Sequence, residues 1–218
     1  MHFTKFSFDA YLKKVATLIG NSLGDSSIMG ATSRFGYDEN RIKEGERIFN
    51  EVVDANEKQN QAQEKKVQLH NKRRELHLAV KKKYMKILQI ARIAFDKDLI
   101  TRKALRLDGA REISLDLWIN QVSLFANNLL RESKWLSVLK KFGIVRKEIF
   151  DLLAELEKLR SVAMACEVAK NDAKHLTVEK REKLKELQEW VSDYLKIAKI
   201  ALDDQPNIYR KLVMDDLS

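Results

Sequence analysis

The spacing of two histidines, His70 and His77, suggests a metal site. They are seven residues apart and so share one face of a helix, and paired imidazoles bind zinc and related ions. Helical bundles with two metal ions use Glu-x-x-His on paired helices, and the nearest string here is Asp172-x-x-His175. His77 also aligns with the core residue Leu184 in the repeat described below. We therefore predict no metal or other cofactor, and a core or boundary position for His77.

The chain offers little for covalent catalysis. Cys166 is the single cysteine and lies on a small apolar helical face, where thiols are usually inert. The sequence contains no phosphate-binding loop, dinucleotide fingerprint, zinc motif or catalytic-serine motif. We predict that the protein is not an enzyme. The alternative, an enzyme or small-ligand binder with a site between helices, depends on Trp118, Trp135, Trp190 and His77.

The densest basic run of the chain is a candidate binding patch. Its members are Lys65, Lys66, Lys72, Arg73, Arg74, Lys81, Lys82, Lys83 and Lys86. Residues 1–108 contain 22 Lys and Arg against 14 Asp and Glu, which gives them +8 of the net charge of +9. The run suits a phosphate backbone, but only Tyr84 interleaves it for base stacking. We favour a solvated helix surface over nucleic-acid binding, which remains an alternative.

An internal repeat organises the elements that carry these residues. Residues 88–96 read LQIARIAFD and residues 195–203 read LKIAKIALD, at an offset of 107. The same offset aligns the whole chain with itself without a gap and gives about twenty identities, which indicates a repeat architecture. Ser7 aligns with Ser114, and Phe35-Gly36 with Phe142-Gly143. We expect a tandem duplication with domains at 1–109 and 110–218, the first basic with a partly degenerate core and the second better packed.

The composition predicts an all-α fold. The chain has seven glycines and one proline, and Leu, Ala, Lys, Glu and Arg dominate it. We expect each repeat to be an antiparallel bundle of three long helices and one short helix. The first helix begins at Ser7 or Asp9 in repeat one, where it is short or broken, and at Ser114 in repeat two. Gly36 and Gly143 end these helices.

A helical hairpin is expected to follow in each repeat. Its predicted turns lie near residues 69–72 and 174–178, because Asn71 and Thr177 can cap the start of a new helix. The stretch 54–66 is polar on all sides, which is typical of a solvated, partner-bound or unstable helix. One cysteine permits no intrachain disulfide, and no apolar run reaches about 18 residues. We therefore expect a cytoplasmic protein without membrane contact.

The C-terminal segment supplies a resemblance. Residues 196–214 read KIAKIALDDQPNIYRKLVM, an alanine-rich helix followed by an acidic pair, a proline and a short leucine-containing helix. This ending resembles that of uncharacterised bacterial helical-bundle proteins, although Leu99 replaces the proline in the first copy. The resemblance implies a helical bundle without known activity and transfers no functional residue.

These observations favour a non-enzymatic helical scaffold or protein-interaction module. Its expected partner is an unknown protein or a second copy of the chain. Duplicated halves often diverge, with one keeping the core and the other gaining a surface role, so the basic first repeat would hold the interface.

Overall fold

The chain folds into helices alone within residues 6–213, the range that the computed structural model describes, and the all-α prediction is confirmed. Eight helices occur in that range. They are α1 (Phe8–Gly24), α2 (Ser26–Ser33), α3 (Glu39–Ala94), α4 (Leu99–Ala104), α5 (Leu115–Arg131), α6 (Ser133–Lys140), α7 (Arg146–Ala201) and α8 (Pro206–Val213). None of them combines the length and apolarity that a membrane span needs.

The two 56-residue helices α3 and α7 show that the predicted hairpins are wrong. Thr177 does not cap a helix but lies inside α7, where its Oγ1 donates to the carbonyl of Ala173 at 2.7 Å. An interior threonine can satisfy its hydroxyl in this way, so the cap pattern did not require a chain break. Asn71 likewise lies inside α3 and is exposed.

The polar stretch 54–66 is a continuous part of α3. It contains no glycine or proline, and side chains one turn apart bond along the helix surface. Gln61 Nε2 donates to Glu57 at 3.1 Å, and Lys66 Nζ donates to Gln63 at 3.0 Å. Local pairing of this kind lets a helix cross a region without an apolar stripe.

The helices that open each half of the chain are interrupted at aligned positions. Ser114 caps α5 as predicted, and of the two candidates Ser7 and Asp9 it is Ser7 that caps α1. The two serines accept hydrogen bonds from Leu117 N at 3.4 Å and Ala10 N at 3.3 Å. The expected long helix after Ser114 is wrong, because extended backbone at Glu132 separates α5 from α6. Both halves therefore have a short helix pair in this region.

Glycine ends α2 and α6 in the way that the sequence predicts. Gly36 and Gly143 have φ of +84° and +82°, the left-handed conformation in which a side chain would be strained. The next amides bond back into the helix ends, Tyr37 N to Thr32 O at 3.2 Å and Ile144 N to Leu139 O at 3.1 Å. This is the bonding pattern of a glycine C-cap.

The chain forms two compact units whose boundaries differ from those of the repeats. Unit 1 comprises Met1–Ala62 and Asp172–Ser218, and unit 2 comprises Gln63–Asn171. Each long helix contributes one half to each unit. The predicted boundary near residue 109 therefore falls inside unit 2.

The core of unit 1 combines residues from both halves of the sequence. Its buried side chains are Tyr11, Val15, Leu18, Ile19, Ile28, Ile42 and Val52 from the first half, with Leu187, Val191, Tyr194, Ala198, Leu202 and Leu212 from the second. Trp190 stacks on Tyr194 with ring centroids 5.3 Å apart, and Tyr194 shares a buried hydroxyl hydrogen bond of 2.6 Å with Ser22. The indole also lies against Gly45 of α3.

The core of unit 2 is built in the same mixed way. Val80, Tyr84, Ile87, Leu88, Ala91 and Phe95 of α3 pack with Trp118, Val122, Phe125 and Leu129 of α5 and with Ile149, Leu152, Leu156 and Leu159 of α7. Tyr84 meets Trp118 and Phe125 edge-on, at 6.0 and 5.4 Å between ring centroids. A fragment that lacks either half of the sequence therefore loses part of both cores.

Two fragments of equal length test this arrangement. Residues 63–171 contain all the buried residues of the unit 2 core and should unfold cooperatively with urea. Residues 110–218 carry only one side of each core and should not fold as a monomer. Circular dichroism during urea titration of both fragments makes the comparison. Cooperative unfolding of monomeric 110–218 would contradict the mixed cores.

Gly45 provides a test of the packing in unit 1. A Cβ at this position would overlap the Trp190 indole, so Gly45→Ala should destabilise the protein by about 1–3 kcal/mol despite the better helix propensity of alanine. Gly20→Ala in α1 is the matched control, because nothing lies within 4 Å of its added methyl. It should stabilise by about 0.5–1 kcal/mol. Urea unfolding measures the free energy of unfolding of both variants. If both substitutions stabilise the protein, the Gly45–Trp190 contact is not as close as described.

Candidate functional site: the basic face of unit 2

The compact units separate charge more sharply than the two halves of the sequence do. Unit 2 contains 24 Lys and Arg against 13 Asp and Glu, a formal charge of +11. Unit 1 contains 17 against 19, a formal charge of −2. The whole net positive charge thus belongs to unit 2, and a field of this size attracts anionic partners.

All nine basic residues predicted as a patch lie on α3 within unit 2, but the structure divides them. Six are exposed and are here called the outer basic face: Lys65, Lys72, Arg74, Lys81, Lys82 and Lys86. Lys66, Arg73 and Lys83 are half-buried. Lys83 donates to Glu155 of α7 at 2.5 Å, so α7 neutralises its charge.

The outer basic face is only partly balanced by acidic residues, because exposed Glu64 and Glu75 lie on the same stretch of α3. Across residues 6–213, none of its six members makes an ion pair or a side-chain hydrogen bond, with these glutamates or with others. In the part of α7 that belongs to unit 1, three lysines have carboxylate partners: Lys183, Lys185 and Lys196. Lys183 pairs with Glu51 at 2.6 Å and with Glu186 at 3.3 Å, and its hydrogen bonds to these two carboxylates raise its pKa. The exposed cations of α3 in unit 2 thus differ from these three lysines of α7.

An exposed leucine lies inside the outer basic face. Leu78 is 58% exposed and is three or four residues from Arg74, Lys81 and Lys82, which places all four on one helix surface. Sequence reasoning missed Leu78. Its position outside the helical spacing of the core residues of α3 could have shown that it is exposed. Tyr84, the one aromatic residue of the basic run, is fully buried, and its hydroxyl accepts from Arg111 at 2.9 Å. The surface therefore offers an apolar contact with three cations and one carboxylate, Glu75, around it, and no stacking platform.

A groove lies beside this face, between α3 and α7, and is here called the α3–α7 groove. It has a volume of about 390 Å³, and its lining residues all belong to unit 2. They are Lys66, Val67, His70 and Arg73 of α3 with Cys166, Glu167 and Lys170 of α7. Sequence reasoning missed the contribution of Lys170, because finding it requires knowing that α7 packs against this part of α3.

A second depression, of about 290 Å³, connects the two predicted histidines. His70, Arg73, Arg74, His77 and Leu115 line it, so His70 and Arg73 face both cavities. His77 packs edge-on against Trp118 at 4.8 Å between ring centroids. Burial lowers the pKa of His77, and the charges of Lys81 and Arg73 lower it further. A cavity at His77 keeps the small-ligand alternative open.

The other residues considered for chemistry occupy separate places. Cys166 is buried at the edge of the α3–α7 groove. Trp118 belongs to the core of unit 2 and Trp190 to that of unit 1, so the tryptophans do not form one cluster. Among the described residues, no group of three or more His, Cys, Asp and Glu side chains is placed to hold a metal ion.

Comparison with known proteins adds no relative. No family model, no curated protein and no solved structure matches the chain. The geometry of unit 2 is therefore the basis for a functional proposal.

His77 should make stability depend on pH. The pKa of His77 is lower in the folded protein than in the unfolded chain, where it is about 6.5. As the pH falls below about 6.5, the unfolded chain therefore takes up a proton more readily than the folded protein, and the free energy of unfolding decreases. Above that value this contribution is fully present. His77→Leu, which introduces the residue of the aligned position 184, should reduce the loss of stability between about pH 7 and pH 5. Melting temperatures of the wild-type protein and of His77→Leu between about pH 5 and pH 7 measure this effect. If the two proteins lose stability equally over this range, His77 is not the group responsible.

Proposed function

We propose that the protein is a non-enzymatic helical interaction module whose partner docks on the outer basic face. The observation that carries this proposal is that six exposed cations on one stretch of α3 outnumber the two exposed glutamates there, Glu64 and Glu75, and form no ion pair among the described residues. Excess positive charge opposes folding through self-repulsion, and an acidic partner would remove that repulsion on binding. The formal charge of +11 on unit 2 would speed the encounter.

The surface suits an acidic protein segment better than a nucleic acid. Protein interfaces place an apolar anchor inside a polar rim, and Leu78 within Arg74, Lys81 and Lys82 has this arrangement. An amphipathic acidic helix could cover Leu78 with its own apolar residues while its carboxylates meet the cations. Nucleic-acid backbone binding is the second candidate, favoured by the same uncompensated charge and independent of Leu78.

Three anionic probes distinguish these candidates: an amphipathic Glu/Leu helical peptide, polyglutamate of equal charge, and a random-sequence DNA duplex. The first candidate predicts that the amphipathic peptide binds most tightly in fluorescence anisotropy at about 50 mM salt. Leu78→Ser should weaken this peptide about tenfold, because burial of a leucine is lost. The same substitution should leave polyglutamate and DNA binding unchanged.

Matched charge reversals give the control. Arg74, Lys81 and Lys82 changed to Glu should abolish binding of all three probes, whereas Lys174, Arg181 and Lys185 of unit 1 changed to Glu should weaken it only slightly. Tightest binding to DNA without an effect of Leu78→Ser would favour the second candidate. No binding of any probe at this salt concentration would refute both.

We also propose that the chain arose by tandem duplication at the offset of 107. The bounds of α3 and α7, 39–94 and 146–201, support this origin, as do the bounds of α2 and α6 and the paired caps at Ser7 and Ser114. Fragment 110–218 should then pair with a second copy of itself, because α7 resembles the missing α3. A fragment that stays monomeric in sedimentation at high concentration would count against duplication. We further propose a cytoplasmic location, because a chain with one cysteine has no intrachain disulfide that would require an oxidising compartment.

A further inference from the structure

We propose that the α3–α7 groove of unit 2 binds a small phosphate monoester with an apolar body. This inference does not rest on the proposed docking of a partner, because the groove and the outer basic face share no residue. The groove volume of about 390 Å³ lies within the range of about 300–1,000 Å³ that is usual for small-molecule sites.

The charge of the groove matches a dianion. Glu167, the one carboxylate in the lining, accepts from Lys170 at 3.2 Å, so these two charges offset each other. Within residues 6–213, Lys66 donates to the neutral amide of Gln63 and Arg73 to the imidazole of His70, and neither forms an ion pair with a carboxylate. Two uncompensated positive charges therefore remain, and a phosphate monoester carries close to two negative charges at pH 7.

The contact between Arg73 and His70 orients the donors. Arg73 Nη2 lies 3.1 Å from His70 Nδ1, and since guanidinium groups only donate, Nδ1 accepts this bond. The ring proton of neutral His70 is then on Nε2, which leaves a second donor beside the guanidinium. Arginine binds phosphate oxygens through two parallel N–H groups, so Arg73 and His70 together present several donors from one turn of α3.

The apolar residues of the groove indicate what is attached to the phosphate. Val67 and the buried Cys166 give the groove an apolar side, which free phosphate would leave uncovered. A small aromatic or aliphatic group attached to the phosphate would cover it and gain apolar burial. A phosphate monoester with such a group therefore fits both sides of the groove.

Phenyl phosphate, inorganic phosphate and phenol are the probes for this site. The proposal predicts saturable binding of phenyl phosphate to the full chain, with a dissociation constant of roughly 0.1–1 mM in calorimetry. Inorganic phosphate should bind several-fold more weakly, and phenol should not bind detectably. In a methyl NMR spectrum, Val67 should shift with phenyl phosphate and not with inorganic phosphate.

Two variants of equal charge change make the test specific. Arg73→Gln should weaken phenyl phosphate binding at least about tenfold, because a charge-assisted bidentate contact is lost. Lys72→Gln, which faces neither cavity, should leave the affinity within about twofold. Equal losses in the two variants, or no saturation at about 10 mM phenyl phosphate, would overturn the site. Equal affinity for inorganic phosphate would overturn the apolar half of the proposal and identify the free ion as the ligand.

Discussion

The unbroken helical hydrogen bonding of α3 and α7 is the constraint on which the rest of this structure depends. Because each 56-residue helix continues past the boundary of a compact unit, each unit receives one half of both helices. The short helices then complete cores that neither half of the sequence could build alone. Burial of apolar surface in each unit therefore requires chain segments that are far apart in sequence.

Much of this fold could be predicted from local signals, and the part that could not depends on tertiary partners. The caps at Ser7 and Ser114 and the glycines at 36 and 143 act through bonds within a few residues, so their sequence patterns are informative. Thr177 also carries a cap pattern, but its hydroxyl finds an acceptor inside α7. The nine basic residues were visible as a run. Their division into an outer face, a groove and the Lys83–Glu155 pair required knowledge of where α7 lies.

The same continuity explains how the charge is distributed. The basic second half of α3 belongs to unit 2, while its more acidic first half joins unit 1. Unit 1 also receives the half of α7 in which Lys183, Lys185 and Lys196 have carboxylate partners. The imbalance of +8 against +1 between sequence halves thus becomes +11 against −2 between folded units. The outer basic face lies in both the first repeat and unit 2, and the unit has the larger net charge.

The residues of the Gly45–Trp190 contact in unit 1 differ from those at the aligned positions in unit 2. At the offset of 107, Gly45 aligns with Leu152 and Trp190 aligns with Lys83. Unit 1 thus has the small residue on α3 and the large one on α7, whereas unit 2 has a buried leucine on α7 and a lysine on α3. Leu152 is buried in the core of unit 2, and Lys83 is half-buried and forms its ion pair with Glu155. The same two aligned positions therefore do different work in the two units: an indole packs on a glycine in unit 1, whereas unit 2 has a buried leucine and a lysine that is paired across α3 and α7.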